Sequence, residues 1–158
     1  MARENIFNVI TNLIDLEDID ALDLFAGTGA VSLELLSRGC RSVTSVENAS
    51  VQQRFIAKVV KELGAEGHRL VRGDVFRFIA AASPAAYDLV FADPPYDHPR
   101  FAEIPALILD SGMTRPGGLV IVEHSSKHDF SALPGFVDHR TYGSVNFSIF
   151  RIPNPEQP

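Results

Sequence analysis

Four acids, Asp23, Glu47, Asp74 and Asp93, each lie within or just after a short apolar run. The runs are Ala21 to Phe25, Ser42 to Val46, Arg69 to Val71 and Tyr87 to Ala92. If each run is a strand, the acids cluster at one edge of a sheet. A row of carboxylates there accepts hydrogen bonds and repels anions. After Asp93 comes Pro94-Pro95-Tyr96. Two prolines remove two backbone donors and fix two φ angles, and each pushes the residue before it out of the α region. The turn is stiff, its carbonyls lack the usual intrachain partners, and an acid and a ring flank it. Such a turn suits a flat group that carries hydrogen-bond donors. Taken singly, these features also read as a capped Pro-Pro turn and as acids where strands meet solvent. Four acids in succession beside a glycine turn fit that reading less well.

The glycine turn is Ala26-Gly27-Thr28-Gly29, directly after the first run. Glycines at a strand–helix junction let the backbone turn tightly and approach a ligand closely. Eighteen residues past Gly29, Glu47 is placed to accept hydrogen bonds from ribose hydroxyls. A dinucleotide fingerprint needs a third spaced glycine for its pyrophosphate, and here that position is Ser32. Acidic Asp23 also gives a pyrophosphate little. S-adenosylmethionine has a sulfonium, an amino group, a ribose and an adenine, and no phosphate. Asp23 near its amino acid portion, Glu47 on the ribose and Asp74 by the adenine make a consistent electrostatic assignment.

The elements that must hold these residues follow from periodicity. Ile6, Val9, Ile10, Leu13 and Ile14 predict an amphipathic leading helix. Val31, Leu33, Leu35 and Leu36 predict a second helix, ending near Gly39. Val51, Phe55, Val59, Val60 and Leu63 predict a third, closed by Gly64. Val75 to Ala82 and Phe101 to Leu109 are two more, with Pro105 in a first turn or at a kink. Pro116-Gly117-Gly118 reads as a turn before a fifth strand, Leu119 to Glu123, and residues 139–142 and 146–152 as a closing hairpin. Strand and helix alternate, and the strands are continuous apolar runs. The fold class is therefore α/β, a Rossmann-like, mostly parallel sheet with helices on both faces and an antiparallel C-terminal hairpin strand.

A length of 158 residues suits one domain, read here as 1–152 with 1–14 as its leading helix and 153–158 as a frayed tail. The net charge of −6 does not advertise nucleic-acid binding, although an acidic total can conceal a local basic patch. A single cysteine, Cys40, excludes an internal disulfide and reads as a small buried residue. No signal peptide or membrane-length apolar run is visible, so a soluble cytoplasmic monomer that does not engage a membrane is expected. His124 and His128 are four apart and His98 follows Asp97, but no third residue has ligand spacing and no metal site is expected. Ser125-Ser126 lacks a nucleophile-elbow pattern.

Asp23 to Gly29, Glu47, Gly73-Asp74 and Asp93-Pro94-Pro95-Tyr96 together resemble the class I S-adenosylmethionine-dependent methyltransferases that modify exocyclic or amide nitrogens. Four further stretches narrow the likeness: Arg3 to Asn8, Leu24 to Ala30, Leu36 to Gly39, and Tyr142 to Phe147. With them, nearly the whole chain resembles the bacterial 16S ribosomal-RNA guanine-N2 methyltransferase family. The resemblance implies a seven-stranded sheet whose last strand is antiparallel. It implies a bed for S-adenosylmethionine made by Asp23, Phe25, Ala26, Gly27, Thr28, Gly29, Glu47, Asn48, Asp74 and Val75. It further implies that Asp93 and the Pro94 carbonyl accept hydrogen bonds from the target amino group, that Tyr96 stacks on the base, and that Pro95 faces the substrate; Arg100, just beyond the turn, reads either as a contact to substrate phosphate or, in preference, as a solvated charge. The implied partner is 16S rRNA or the small ribosomal subunit. Family members begin with a basic segment before the leading helix, whereas this sequence starts at the helix.

Two rival functions remain open at this level. DNA adenine methyltransferases share Asp-Pro-Pro-Tyr, while glutamine methyltransferases usually carry Asn at the Asp93 position. A non-catalytic module that keeps the cofactor fold is the other.

Overall fold

The computed structural model describes residues 1–155. In chain order the elements are α1 (Ala2–Leu13), β1 (Asp20–Leu24), α2 (Ala30–Ser37), β2 (Ser42–Glu47), α3 (Ser50–Leu63), β3 (His68–Arg72) and α4 (Val75–Ala80). There follow β4 (Tyr87–Ala92), a 3-10 turn (Phe101–Glu103), α5 (Ile104–Asp110), β5 (Thr114–His124), β6 (Phe136–Tyr142) and β7 (Val145–Arg151). The strands form one seven-stranded sheet in the order β3-β2-β1-β4-β5-β7-β6. Neighbours from β3 through to β5 are parallel, and β7 runs antiparallel to both β5 and β6. The expected fold class is the one observed.

Strands β1, β4 and β5 are covered on both sides, which is why they are apolar at successive positions: Leu22, Leu24, Leu89, Val90, Val120 and Ile121 have no exposed surface. One face packs against α1 and α2 through Ile6, Phe7, Ile10 and Leu35, with Cys40 buried in the same layer. The other packs against α4 and α5 through Val75, Ile79, Ile104 and Ile108. Pro105 lies in the first turn of α5, where its missing N–H costs no helical bond. The order reverses beside β1: β2 and β3 lie on one side of it, β4 and β5 on the other. A cleft therefore opens at the carboxyl ends of β1 and β4.

Three expectations are corrected. Pro116-Gly117-Gly118 is no turn; β5 runs through it from Thr114, and an irregular register between Tyr87 and Leu89 absorbs the kink. Gly118 is required there, because a Cβ would lie 2.7 Å from both the Asp88 carbonyl oxygen and Thr114 Cγ2. On α3 the apolar residues do not all face the core. Ile56 is buried, while Val51, Phe55 and Leu63 are 66%, 46% and 67% exposed. Finally, the hairpin strands begin earlier than read, and β7 inserts between β5 and β6, so that β6 forms the sheet edge.

Two polar devices hold the frame. At the amino ends of the strands, Arg115 Nη1 contacts both Asp20 Oδ2 (2.9 Å) and Asp88 Oδ2 (2.7 Å), and Arg41 Nη2 contacts Asp20 at 2.6 Å. At the far end of the chain, Arg151 donates to the carbonyls of Gly117 (2.8 Å) and Leu13 (2.7 Å), tying the last turn of α1 to the sheet. No helix among the described residues is long and apolar enough to cross a membrane. The tail read as 153–158 is described only to Pro155; residues 156–158 lie outside the described residues.

Candidate active site

Backbone hydrogen bonds stitch neighbouring strand ends together just beyond the sheet. Ala26 N–H donates to the Val46 carbonyl (3.1 Å), Gly73 to Glu47 (3.1 Å) and Asp93 to Leu24 (3.3 Å). The four predicted acid-bearing ends are thus held side by side, and a cavity of about 580 Å³ opens over them. Its wall includes Phe25, Gly27, Glu47, Asn48, Asp74, Val75, Asp93, Pro94, Pro95 and Tyr96, all expected from sequence. A second cavity of about 220 Å³ lies across the glycine turn, sharing Phe25, Gly27 and Asp93 with the first. Ala26 and Thr28 face this smaller space, together with Arg3 from α1 and Glu123 from β5.

The turn is shaped by its own conformations. Phe25 has φ 59° and Gly27 φ 57°, so the chain leaves β1 through two left-handed residues, the first costly for a side chain. Gly27 N–H donates to Glu47 Oε1 (2.8 Å) and Ala49 N–H to Oε2 (2.8 Å). Each carboxylate oxygen retains a second acceptor site. Glu47 therefore holds the turn and still presents acceptors to the cavity. Asp74 caps α4, accepting from Arg77 N–H through Oδ2 at 3.0 Å, and also lies on the wall. Gly29 is on neither wall; it caps α2 with φ 80°, and a Cβ there would be 3.1 Å from Ile56 Cγ1.

Besides Gly29, two more predicted site residues lie off both walls. Asp23 is 1% exposed and lies beneath the turn, so it cannot meet a ligand's amino group directly. Its Oδ2 accepts from Ser32 N–H (3.1 Å) and Ser32 Oγ (2.7 Å), Ser32 Oγ meets Ser45 Oγ at 2.6 Å, and Ser45 Oγ meets His68 Nε2 at 2.7 Å. The side chain points to the α1–α2 face of β1, where Ser32 occupies it. Burial pushes its carboxyl up to about 7 against the opposing hydrogen bonds from Ser32. Arg100 is off both walls as well. It pairs with Glu103 at 3.1 Å and lies over the Phe76 ring at 4.3 Å, outside the wall of either cavity. Phe76 in turn backs His98, which does line the cavity.

Asp93 stands where the two cavities meet, and Tyr96 lines the larger one beside it. The Pro94 carbonyl has no intrachain hydrogen bond among the described residues, while Pro95's accepts from His98 N–H at 3.0 Å. Tyr96 is 46% exposed, packs edge-on to Phe101 at 6.1 Å and donates its hydroxyl to Glu123 Oε2 at 3.0 Å. Burial, and then the neighbouring Glu123 carboxyl, push Asp93 up to about 8. The same two causes hold the Tyr96 phenol well above its ordinary value.

The main wall carries Glu47, Asp74 and Asp93 and no Lys, Arg, Ser, Thr or Cys. It has no Lys or Arg to bind a phosphate and no Ser, Thr or Cys nucleophile. Its acceptors and apolar patches fit a hydroxyl-bearing, cationic ligand such as S-adenosylmethionine. Among the described residues no three potential metal ligands converge, and His124 spends both ring nitrogens on the Ser125 carbonyl (2.8 Å) and Ser148 Oγ (2.7 Å).

A family model described as Conserved hypothetical protein 95 matches residues 1–151. The chain belongs to this family. Among its curated relatives is the Ribosomal RNA small subunit methyltransferase D of Escherichia coli K12, 30% identical over 132 residues, covering 84% of this chain and 65% of that protein. The chain thus spans just under two thirds of that relative's length. The protein of the same name from Haemophilus influenzae is 26% identical over 154 residues, covering 94% of this chain and 79% of that one. A hypothetical protein from Thermus thermophilus superposes with a TM-score of 0.83 at 27% identity, covering 96% of this chain and 85% of that one. A SAM-dependent methyltransferase from Aquifex aeolicus shares the fold, with a TM-score of 0.67 at 13% identity, covering 92% of this chain and 87% of that one. The Conserved hypothetical protein 95 fold is therefore that of class I methyltransferases.

Sequence reasoning missed Ala49, Gln52 and His98 as wall residues, and Arg3 and Glu123 in the smaller cavity. Glu123 alone had a usable signal, since it ends the fifth strand as the other acids end theirs.

Proposed function

We propose that this chain is an S-adenosylmethionine-dependent N-methyltransferase acting on the exocyclic N2 amino group of a guanine in 16S rRNA, in the cytoplasm and as a monomer. The observation that carries the reading is the Asp93 to Tyr96 turn at the mouth of an acid-walled cavity: one carboxyl, one unpartnered carbonyl and one half-exposed ring converge there. The names of the Escherichia coli and Haemophilus influenzae relatives support an rRNA substrate.

The bound cofactor supplies a methyl already activated on a sulfonium. What remains for the protein is orientation, worth up to about 7–11 kcal/mol in well-aligned systems. Glu47 and Asp74 on the cavity wall would accept from the cofactor's hydroxyls and adenine, and Phe25 and Val75 would supply apolar contact. A guanine amino group is a poor nucleophile because its lone pair is delocalised into the ring. Asp93 and the Pro94 carbonyl accept its two N–H groups and favour the positive charge that grows as the N–C bond forms. Tyr96 stacks on the extruded base, offsetting part of an unstacking cost of a few kcal/mol.

The test is methyl transfer from labelled cofactor to undermethylated small ribosomal subunits, naked rRNA and DNA. Transfer to the subunits or rRNA is the expected outcome. Transfer to DNA alone would replace this reading with a DNA methyltransferase, and binding of cofactor with no transfer would replace it with a non-catalytic module.

A further inference from the structure

Glu123 ends β5 one strand beyond Asp93. Ala92 of β4 pairs with Val122 of β5, so the residues that follow them, Asp93 and Glu123, emerge level and on the same face. That face is the one covered by α1 and α2, since Phe91 and Ile121, two residues earlier on each strand, lie in that core. Both side chains reach the smaller cavity, Glu123 Oε2 accepts from Tyr96, and the Glu123 carboxyl lies close enough to Asp93 to raise it. Two carboxyls this close disfavour the state in which both are ionised, so the pair retains a proton. Glu123 thus links the stacking ring to the acid that meets the amino group.

Resting on the methyltransferase reading, we propose that Glu123 is a positioning residue of the amino-acceptor site, which fixes Tyr96 and Asp93 in one hydrogen-bonded line and passes their surplus proton into the smaller cavity. The proton balance is direct. Before transfer the pair holds one proton, carried by Asp93, whose carboxyl is raised to about 8, and directed at Glu123, while the other oxygen of Asp93 accepts the amino N–H. As the N–C bond forms and the S–C bond breaks, the nitrogen becomes cationic and gives one proton to that oxygen of Asp93. Asp93 passes its first proton to Glu123, which releases it to water on the α1 side, and the pair returns to one proton on Asp93. This exit matters because base and cofactor together cover the main cavity.

The surroundings are consistent with a path of this kind. The groups facing the pair are Asp23 from β1, Tyr96 from the turn itself and Arg3 from α1 across the small cavity; the β7 residue opposite Glu123 is Phe147, which is neutral. Asp23 adds to the pull on the proton, and its own charge is occupied by Ser32. Arg3 is exposed and carries positive charge at the cavity's outer side, so it favours release of a proton outward from the pair.

The experiment compares wild type with Glu123→Gln, which keeps size and the acceptor for Tyr96 while removing the exchangeable proton. Single-turnover transfer to undermethylated small subunits is followed from pH 6 to 9, alongside calorimetric binding of S-adenosylmethionine. E123Q is expected to bind cofactor within about two-fold and to transfer methyl about 100-fold more slowly at pH 7, the lower range for loss of a positioned proton-transfer group. Wild type is expected to show an inflection near pH 8, where Asp93 titrates, and E123Q to show it at lower pH, because burial remains and the neighbouring carboxyl is gone. Tyr96→Phe combined with E123Q should be no slower than the slower single variant, because both break one line. Wild-type rates and pH profile in E123Q, or fully multiplicative losses in the double variant, would overturn the role of Glu123. If E123Q does not fold, Glu123→Asp, which restores the proton but not the reach, is read against the same criteria. A wild type that transfers to none of the acceptors overturns the underlying activity instead, and this role with it.

Discussion

Asp23→Asn should stabilise the protein increasingly as pH rises. The side chain is buried, and its carboxyl is raised from 3.8 to about 7. A group whose folded value lies above its unfolded value contributes stability that is fully present below the unfolded value and is lost as pH rises through the folded one. A shift of about 3 units is worth about 4 kcal/mol when ionisation is complete, and about 2.5 kcal/mol of that falls between pH 5 and pH 8. Asparagine keeps an oxygen for the two donations from Ser32 and cannot ionise. Denaturant unfolding of both proteins at several pH values gives the difference directly. Titrations elsewhere in the chain are common to both and cancel, so the stability gap should widen by about 2–3 kcal/mol over that interval. Cofactor affinity should stay within about three-fold, since the carboxyl is absent from the cavity wall. Parallel stability curves would refute the burial argument, and a ten-fold loss of affinity would refute the placement of Asp23 behind the turn.

Asp93→Asn should leave cofactor binding within a few-fold and reduce methyl transfer by about 100-fold or more, measured with a labelled methyl group. Glu47→Gln should weaken the cofactor by about 10-fold or more in calorimetry, because an amide cannot accept from both Gly27 and Ala49 and also from a ligand. Gly118→Ala should cost about 1–3 kcal/mol in denaturant unfolding, as the new Cβ meets the Asp88 carbonyl and Thr114. Arg115→Ala should destabilise at neutral pH by exposing Asp20 and Asp88 to each other. The loss should shrink as pH falls below the ordinary carboxylate range, because Asp20, held far down by Arg41, Ser42 and Arg115, contributes stability that acid removes.

The strand-end acids were legible because each closes a run of Val, Leu or Ile, and a parallel sheet aligns such ends without further information. The direction of Asp23 was not. Within β1 it alternates with Leu22 and Leu24, and which face holds Ser32 depends on where α2 docks. Helix α3 misled for a related reason: Val51, Phe55 and Leu63 have helical spacing, but only the approach of Gly29 to Ile56 decides which stripe faces inward. Arg100 was read as a substrate contact from its place after the turn, and a local partner, Glu103, claims it. Glu123 was recognised as a strand end, yet its meeting with Tyr96 depends on the register of β4 against β5, which no single run encodes.

The bond from Arg151 to the Leu13 carbonyl bears on how the molecule is made. The leading helix is synthesised before the whole sheet, but the surface it rests on includes Phe147 and Ile149 of the last strand. Strand β7 must also slip between β5 and β6 before that surface exists. A chain emerging from its amino end therefore cannot complete the surface under α1 until almost every residue has been added. Arg3, borne on that helix, reaches its cavity only after the rest of the sheet has assembled, so an unfinished chain holds the glycine turn and the acids but lacks one wall of its smaller chamber.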